Sequence, residues 1–304
     1  MNEIQTYIGN YTSETTLQDK AFQILDGLDV GDSTRSDYKS RIPLFLEYVG
    51  EHGFNKDSFL NFKRCLASRK DLSIPSKAKY LTVARVFLRE LHRQGIAPVD
   101  VTVNVKSFHQ SNRHKRFGLN QEEISLLLER LEGKPPSPEN ARLKAIIALL
   151  IFQGLRQIEI VRLDVEDIDL GRKTALILGK GRDDKEPIDL HPRTAHALGS
   201  YMDYCEIRSG ALFVSWSNNS LNHRLTTKSL REIVKGFLKE LQIVNTTHGF
   251  RNFYTTKLIQ HFSNDLLTVQ KYTRHRSVET LQVYNDNISR RDTLPKYYEA
   301  FNLN

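Results

Sequence analysis

The chain has 304 residues, two lengths of an ordinary domain of ~150 residues, so two domains with separate cores are expected. With 39% hydrophobic and 26% charged residues, 16 Gly and 9 Pro, the composition is that of a folded globular protein and excludes a disordered, collagenous or disulfide-stapled chain. Forty-four Lys and Arg against 36 Asp and Glu leave a net +8, which points to a polyanion, either nucleic acid or an anionic membrane surface.

The membrane half of that pair is weak, because the longest apolar run, Ala145 to Phe152, is eight residues against the ~20 that span a bilayer. The N-terminal stretch MNEIQTYIGNYTSETTLQD carries acids and hydroxyls where a secretory signal would carry basic and then apolar residues, so a cytoplasmic protein is expected. Cys65 and Cys205 lie outside any CxxC or Cys/His spacing. This argues against a disulfide framework or a zinc site and predicts two buried apolar thiols.

Helical periodicity dominates the first hundred residues, with Ile42, Phe45, Leu46 and Val49 on one stripe and Tyr80, Val83, Ala84, Phe87 and Leu91 on another. Four amphipathic helices are predicted, over 15–28, 33–51, 56–70 and 75–94, with Ser33 or Thr34 capping the second and Gly95 stopping the fourth. The polar, basic stretch IAPVDVTVNVKSFHQSNRHKRFG has no helical period and reads as a linker, placing a domain break near 97–116. Beyond it, Asn120 caps a helix whose Glu123 completes a capping box and whose buried stripe is Ile124, Leu127, Leu128 and Leu131. Between about 164 and 190 the pattern shortens to DVEDIDL, TALILG and EPIDL separated by turn residues, a small antiparallel sheet. Helical patterning then resumes to the C-terminus.

Charge is placed unevenly. Residues 56–116 hold 14 Lys and Arg against 4 Asp and Glu, a net +10 that exceeds the whole-chain value. A solvated helix face is the ordinary explanation of such a run and contact with DNA phosphates the functional one. Lys77, Lys79, Arg85 and Arg89, near the fourth helix, are the candidate phosphate contacts on this charge pattern.

Four separated pieces of the second half place strongly polar residues beside apolar or glycine positions. In GLRQIEIVRL, Arg156 ends an apolar helix and Glu159 follows on the same face, which alone is an ion pair within a helix. Gly179-Lys180-Gly181-Arg182 forms the predicted tip of a hairpin, where a lysine between glycines meets little steric hindrance, although a turn with an exposed charge has the same pattern. In TTHGFRNFYTTKLI, Thr247 is placed to cap a helix and His248 and Arg251 stand three apart in its first turn, where free N–H groups and the helix dipole favour a phosphate. In RHRSVETLQVYN, His275 precedes a short helix capped by Ser277 and Tyr284 follows nine residues later. Taken singly, each piece has an unremarkable structural explanation.

Their order, Arg, Lys, His-x-x-Arg, His and then Tyr, resembles the signature of the tyrosine recombinase (phage integrase) family. The motif detail covers about 156–285. One departure stands out: Thr273-Arg274-His275 occupies the place where the family commonly has Leu-Gly-His, so an extra cation adjoins the histidine. The resemblance implies a mainly α protein with a small antiparallel β-sheet and two domains: a helical, SAM-like, DNA-clamping domain at 1–108, a linker at 109–117, and a catalytic domain at 118–304 with a C-terminal tail helix. With no further domain before the helical one, the layout resembles the compact Xer- or Cre-like members.

Carried over residue by residue, the resemblance implies Tyr284 as nucleophile on a DNA phosphodiester, giving a 3′-phosphotyrosyl bond and a free 5′-hydroxyl. Arg156 and Arg251 would hold the non-bridging oxygens, His248 would assist deprotonation or orient the phosphate, and His275 would donate to it. Lys180 would protonate the departing oxygen, with Lys185 of the same hairpin as the alternative. Glu159 would orient Arg156. Neither metal nor ATP is implied, since energy is kept in the covalent bond. The partners implied are double-stranded DNA bearing a specific core site and further copies of the chain, a tetramer on two sites. The stretch from Asn287 to Asn304, with Tyr297, Tyr298 and Phe301 at helical spacing after Pro295, would be the element that docks on a neighbour. Strand relaxation of the type IB topoisomerase kind and non-catalytic DNA binding are the competing functions.

Overall fold

A computed structural model of the chain describes residues 14–109, 118–217 and 221–299, with the backbone alone for 14–17, 285–293 and 295–296. The chain falls into two compact units that divide between residues 111 and 112.

The first unit is built from α1 (Glu14–Asp26), α2 (Asp32–His52), α3 (Ser58–Ser68) and α4 (Ile74–Arg93), each starting within two residues of the position its periodicity predicts. The apolar stripes meet in one core, where the Phe45 ring packs edge-on against Phe62 at 5.0 Å and Phe87 at 6.4 Å between centroids. The expected cap of α2 is corrected. Its N-cap is Gly31, and Ser33 and Thr34 lie in the first turn, where the Thr34 N–H reaches the Gly31 carbonyl. Gly95, at φ 75°, ends α4 as expected, in the left-handed conformation that lets Ile96 N–H turn back to the Leu91 carbonyl. Cys65 is exposed and Cys205 half-buried, against the expectation of two buried thiols. Cys65 lies off the stripe of Phe59, Phe62 and Leu66 that α3 buries.

In the second unit α5 (Gln121–Glu132) begins with the expected capping box: Glu123 N–H donates to Asn120 Oδ1 at 2.7 Å, and Asn120 N–H to Glu123 Oε2 at 2.8 Å. The central element is α6 (Pro138–Phe152), whose residues Ala145 to Ile151 are all buried, so an apolar run too short for a bilayer is instead a helix surrounded by protein. It packs against α8 (Pro192–Tyr204) and α10 (Thr247–His261). Between α6 and α8 come the short α7 (Gln157–Val161) and strands β1 (Ile168–Asp169), β2 (Thr174–Leu178) and β3 (Lys185–Asp189), antiparallel in that spatial order with Ala175 paired to both Ile168 and Ile188. Then follow α9 (Thr227–Glu240), α11 (Leu266–Thr273) and α12 (Val278–Glu299).

Two local expectations change here. The N-cap of α10 is Thr246, and Thr247 is its first helical residue, with its hydroxyl taken by the Gln157 side chain. The helix after Ser277 is not short. It runs 22 residues, straight through Pro295, so Tyr284 and the exposed Tyr297 and Tyr298 share one helix, while Phe301 lies outside the described residues. Among the described residues no helix is long and apolar enough to cross a membrane.

Replacing Asn120 by Ala removes the Oδ1 acceptor of the Glu123 N–H at the start of α5, while the backbone N–H of residue 120 keeps Glu123 Oε2 as its acceptor. It should lower stability by about 1 kcal/mol, read as an earlier urea-unfolding midpoint with an unchanged slope.

Candidate active site

Five elements of the second unit converge on one guanidinium. Arg251, in the first turns of α10, is 2% exposed. Its Nη1 donates to the Gly154 carbonyl at 2.7 Å and its Nη2 to the Thr273 carbonyl at 2.5 Å, with His275 Nε2 3.4 Å from Nη2. Burial, with the neighbouring Arg156 charge, pushes its pKa down to about 10, so it remains a cation at neutral pH. Both carbonyls lie where the backbone is leaving a helix. Gly154, at φ 57°, breaks the chain after α6, and a Cβ there would meet the Tyr254 ring at 2.3 Å. Thr273 is the last residue of α11, one step before Arg274 turns into the left-handed region at φ 55°, ψ 38°.

The Gly154 break also corrects the placement of Arg156. It is not at the end of the apolar helix but is the N-cap of the separate α7. The expected pairing with Glu159 is present in a capping arrangement, where one carboxylate takes the Arg156 N–H at 2.7 Å and Nη1 at 2.8 Å. Glu159 is itself buried and also faces Arg274 Nη2 at 3.3 Å. Burial alone would raise its pKa, yet the Arg274 and Arg156 charges and hydrogen bonds outweigh it and hold the carboxyl ionised.

His275 is 9% exposed and surrounded by cations. Burial first, then Arg251, Arg156, Arg274 and His248, press its pKa down to about 3, so the ring is neutral. The neighbours select its tautomer. Thr273 Oγ1 gives its proton to the Val269 carbonyl at 2.9 Å and lies 2.8 Å from His275 Nδ1, so Nδ1 carries the hydrogen and Nε2 presents a lone pair to Arg251. In this state the ring accepts at Nε2 and does not donate there, which differs from the donor role expected of it.

Tyr284, on α12, is buried beside the His275 ring, with centroids 6.1 Å apart. Its hydroxyl donates to Asn252 Oδ1 at 2.9 Å. Burial raises the phenol pKa above 10, while Arg251 and Arg156 pull it the other way. Asn252 was not among the sequence candidates. A signal for this face existed: Thr247, Arg251 and Thr255 recur every four residues and are all buried, a polar stripe where a core helix is ordinarily apolar.

His248 is exposed on the first turn of α10. Lys180 is exposed on the β2–β3 turn, where Gly181 adopts φ 67°. Lys185 is committed elsewhere, its Nζ 2.5 Å from Asp167 and 3.5 Å from Asp164, contacts that raise its pKa. In the first unit the four basic candidates differ. Lys79 is exposed, but Lys77 is buried with Nζ 2.8 Å from the Ala67 carbonyl, contrary to a surface phosphate contact. Arg85 bonds Val105 O and Ser107 Oγ at 2.6 and 3.1 Å, and Arg89 bonds Thr102 Oγ1 at 3.1 Å and pairs with Asp100. Both arginines therefore fasten the segment after α4 onto that helix.

The chain belongs to the phage integrase family: residues 118–291, more than half its length, match that family, whose members are DNA strand-transferring tyrosine recombinases. Among curated proteins it is 28% identical over 270 residues to the tyrosine recombinase XerD of Oceanobacillus iheyensis, covering 84% of this chain and 88% of the relative. It is also 28% identical over 273 residues to the tyrosine recombinase XerC of Roseiflexus castenholzii, covering 86% and 85%. Its fold is similar to that of the XerH site-specific recombinase bound to a palindromic difH substrate, with TM-score 0.74, 20% identity, and 95% of this chain and 85% of that one covered. A lambda integrase tetramer bound to a Holliday junction matches at TM-score 0.64 and 14% identity, covering 88% and 75%.

Two outcomes test this geometry. Gly154→Ala should cost about 3 kcal/mol, from left-handed backbone strain and the clash with Tyr254, measured by urea unfolding. Because the pKa of His275 is depressed from 6.5 to about 3, the unfolded chain binds a proton in that window and the folded chain does not. Stability should therefore be intact above pH 6.5 and fall as the pH drops toward 3. His275→Gln should flatten this acid limb by up to about 1 kcal/mol per pH unit.

Proposed function

We propose that the chain is a site-specific DNA recombinase that cuts and rejoins double-stranded DNA through a 3′-phosphotyrosyl intermediate on Tyr284. The observation that carries this reading is the convergence of Tyr284, His275, Arg251 and Arg156, from separate elements, on one cationic cluster. Glu159 pairs with Arg156, but Arg251 is held by neutral carbonyls, so its charge is not cancelled by a directly bonded carboxylate.

A scissile phosphate entering the cluster supplies the missing anion. Arg156 and Arg251 hold its non-bridging oxygens and stabilise the pentacoordinate transition state. The phenol oxygen forms the new P–O bond as the P–O5′ bond breaks. The phenolic proton passes to His248 or solvent, and Lys180 protonates the departing 5′ oxygen. The phosphate charge offsets the arginines around His275, raising its proton affinity so that Nε2 becomes a donor to a non-bridging oxygen. Glu159 orients Arg156. Attack by a 5′-hydroxyl of a second duplex reverses these steps, so the chain's own groups complete the exchange without ATP. Two duplexes require several copies of the chain, arranged as a tetramer on two core sites. Residues 1–108 clamp DNA, residues 109–117 link, and 118–304 catalyse, in the cytoplasm.

The test is a nicked suicide duplex incubated with the protein in EDTA and resolved by denaturing electrophoresis. Wild type should give a covalent complex, and Tyr284→Phe should bind DNA without forming one. Arg156→Ala and Arg251→Ala should each reduce adduct formation by at least about 100-fold. Salt-sensitive binding with no adduct from wild type would instead identify a non-catalytic DNA-binding protein.

A further inference from the structure

The β2–β3 turn that carries Lys180 is held by three arginines from outside the hairpin. On one side of Lys180, Arg162 Nη1 lies 3.4 Å from the Gly179 carbonyl. On the other, Arg276 Nη2 donates to the Gly181 carbonyl at 2.9 Å. Behind the turn, Arg274 Nε faces Glu186 Oε1 of β3 at 3.7 Å. That nitrogen is buried and makes no hydrogen bond, so its partner is an ion pair not fully closed. Arg274 also adopts the left-handed conformation that is costly for a residue with a side chain, at φ 55°, ψ 38°. An arginine kept in that conformation and buried between Glu186 and Glu159 has a task that a bare corner would not perform.

We propose that Arg274 and Arg276 are positioning residues for Lys180: they latch the β2–β3 hairpin to the corner that carries His275, fixing the lysine over the leaving-group side of the phosphate. The inference rests on the proposed role of Lys180 and adds the residues through which that role depends on the 274–276 corner. An exposed lysine flanked by glycines at a hairpin tip has many conformations. The latch fixes the carbonyl next to Lys180 while leaving its ammonium free of any carboxylate of the latch itself. Arg274 has a second effect, since it shares Glu159 with Arg156. One side chain thereby ties the acid-bearing hairpin and the phosphate-holding arginine to the same corner.

The experiment uses the whole chain and two suicide duplexes that differ in one atom, a 5′ oxygen or a 5′ bridging sulfur at the scissile phosphate. A thiol, with pKa about 8.5, leaves without a proton, so the sulfur substrate does not need the general acid. Arg276→Ala and Glu186→Gln should each slow single-turnover cleavage of the oxygen substrate about tenfold while DNA affinity stays within about twofold. On the sulfur substrate both should match wild type within about twofold, and Arg276→Lys should restore most of the oxygen-substrate rate. Arg274→Gly, which relaxes the backbone, should fold normally and be only partly rescued by sulfur, because the Glu159 contact is lost as well. Equal slowing of Arg276→Ala and Glu186→Gln on both substrates, or no slowing on oxygen, overturns the latch. Those results are distinct from failure of the underlying reading, in which wild type forms no adduct or sulfur fails to rescue Lys180→Ala.

Discussion

The second unit is organised around a buried cation that lacks a carboxylate directly bonded to it. Taking a guanidinium out of water is costly unless its N–H groups are satisfied. Arg251 solves this with backbone: one carbonyl from the Gly154 break and one from the end of α11. Two consequences follow. The chain must leave its helices where those carbonyls are needed, which explains a positive φ at both Gly154 and Arg274. The charge is also hydrogen-bonded but not neutralised, so the field of Arg251 extends to its neighbours. That field helps keep His275 unprotonated and opposes the burial that makes Tyr284 a weaker acid. The site is thus most comfortable with an anion present, the condition expected of a phosphodiester pocket.

The resting arrangement also constrains the chemistry. Tyr284 is a hydrogen-bonded phenol, its proton directed at the neutral amide oxygen of Asn252, not at a base. In the proposed reaction, stabilisation of the transition state, and not a preformed phenolate, therefore supplies most of the acceleration. The tyrosine rides on a 22-residue helix whose far end presents Tyr297 and Tyr298 to solvent. Whatever engages that end is mechanically continuous with Tyr284, since helical hydrogen bonding runs between them.

Much of this was legible in the sequence, for physical reasons that also mark where reading stopped. Amphipathic stripes revealed α1 to α5 because one buried face imposes a period on the side chains, and the Asn120–Glu123 pair marked the start of α5 because capping is local. The hairpin followed from glycines bracketing alternating residues. The cationic site residues were found by chemical type and order. The break between α6 and α7 was not found, because Ile151 to Arg156 keeps helical spacing across a glycine and only tertiary demand for the Gly154 carbonyl reveals the turn. Asn252 was missed because its partner lies 32 residues away on another helix. Lys77 was misplaced because a charge count does not reveal which way a lysine stem runs, and this one reaches inward to the Ala67 carbonyl.

The two lysines of the hairpin show why environment outranks residue type. Lys185 and Lys180 stand five residues apart with the same intrinsic basicity. Lys185 points at the Asp164 and Asp167 carboxylates, which raise its pKa and strengthen its hold on its proton. An acid so paired gives up its proton reluctantly and is tethered away from any incoming oxygen. Lys180 stands on a turn whose flanking carbonyls, Gly179 and Gly181, are occupied by arginines, so the chain around it is held. For the proton-donor role proposed above, placement therefore favours Lys180, whose turn is held, over Lys185, which is tied to two carboxylates.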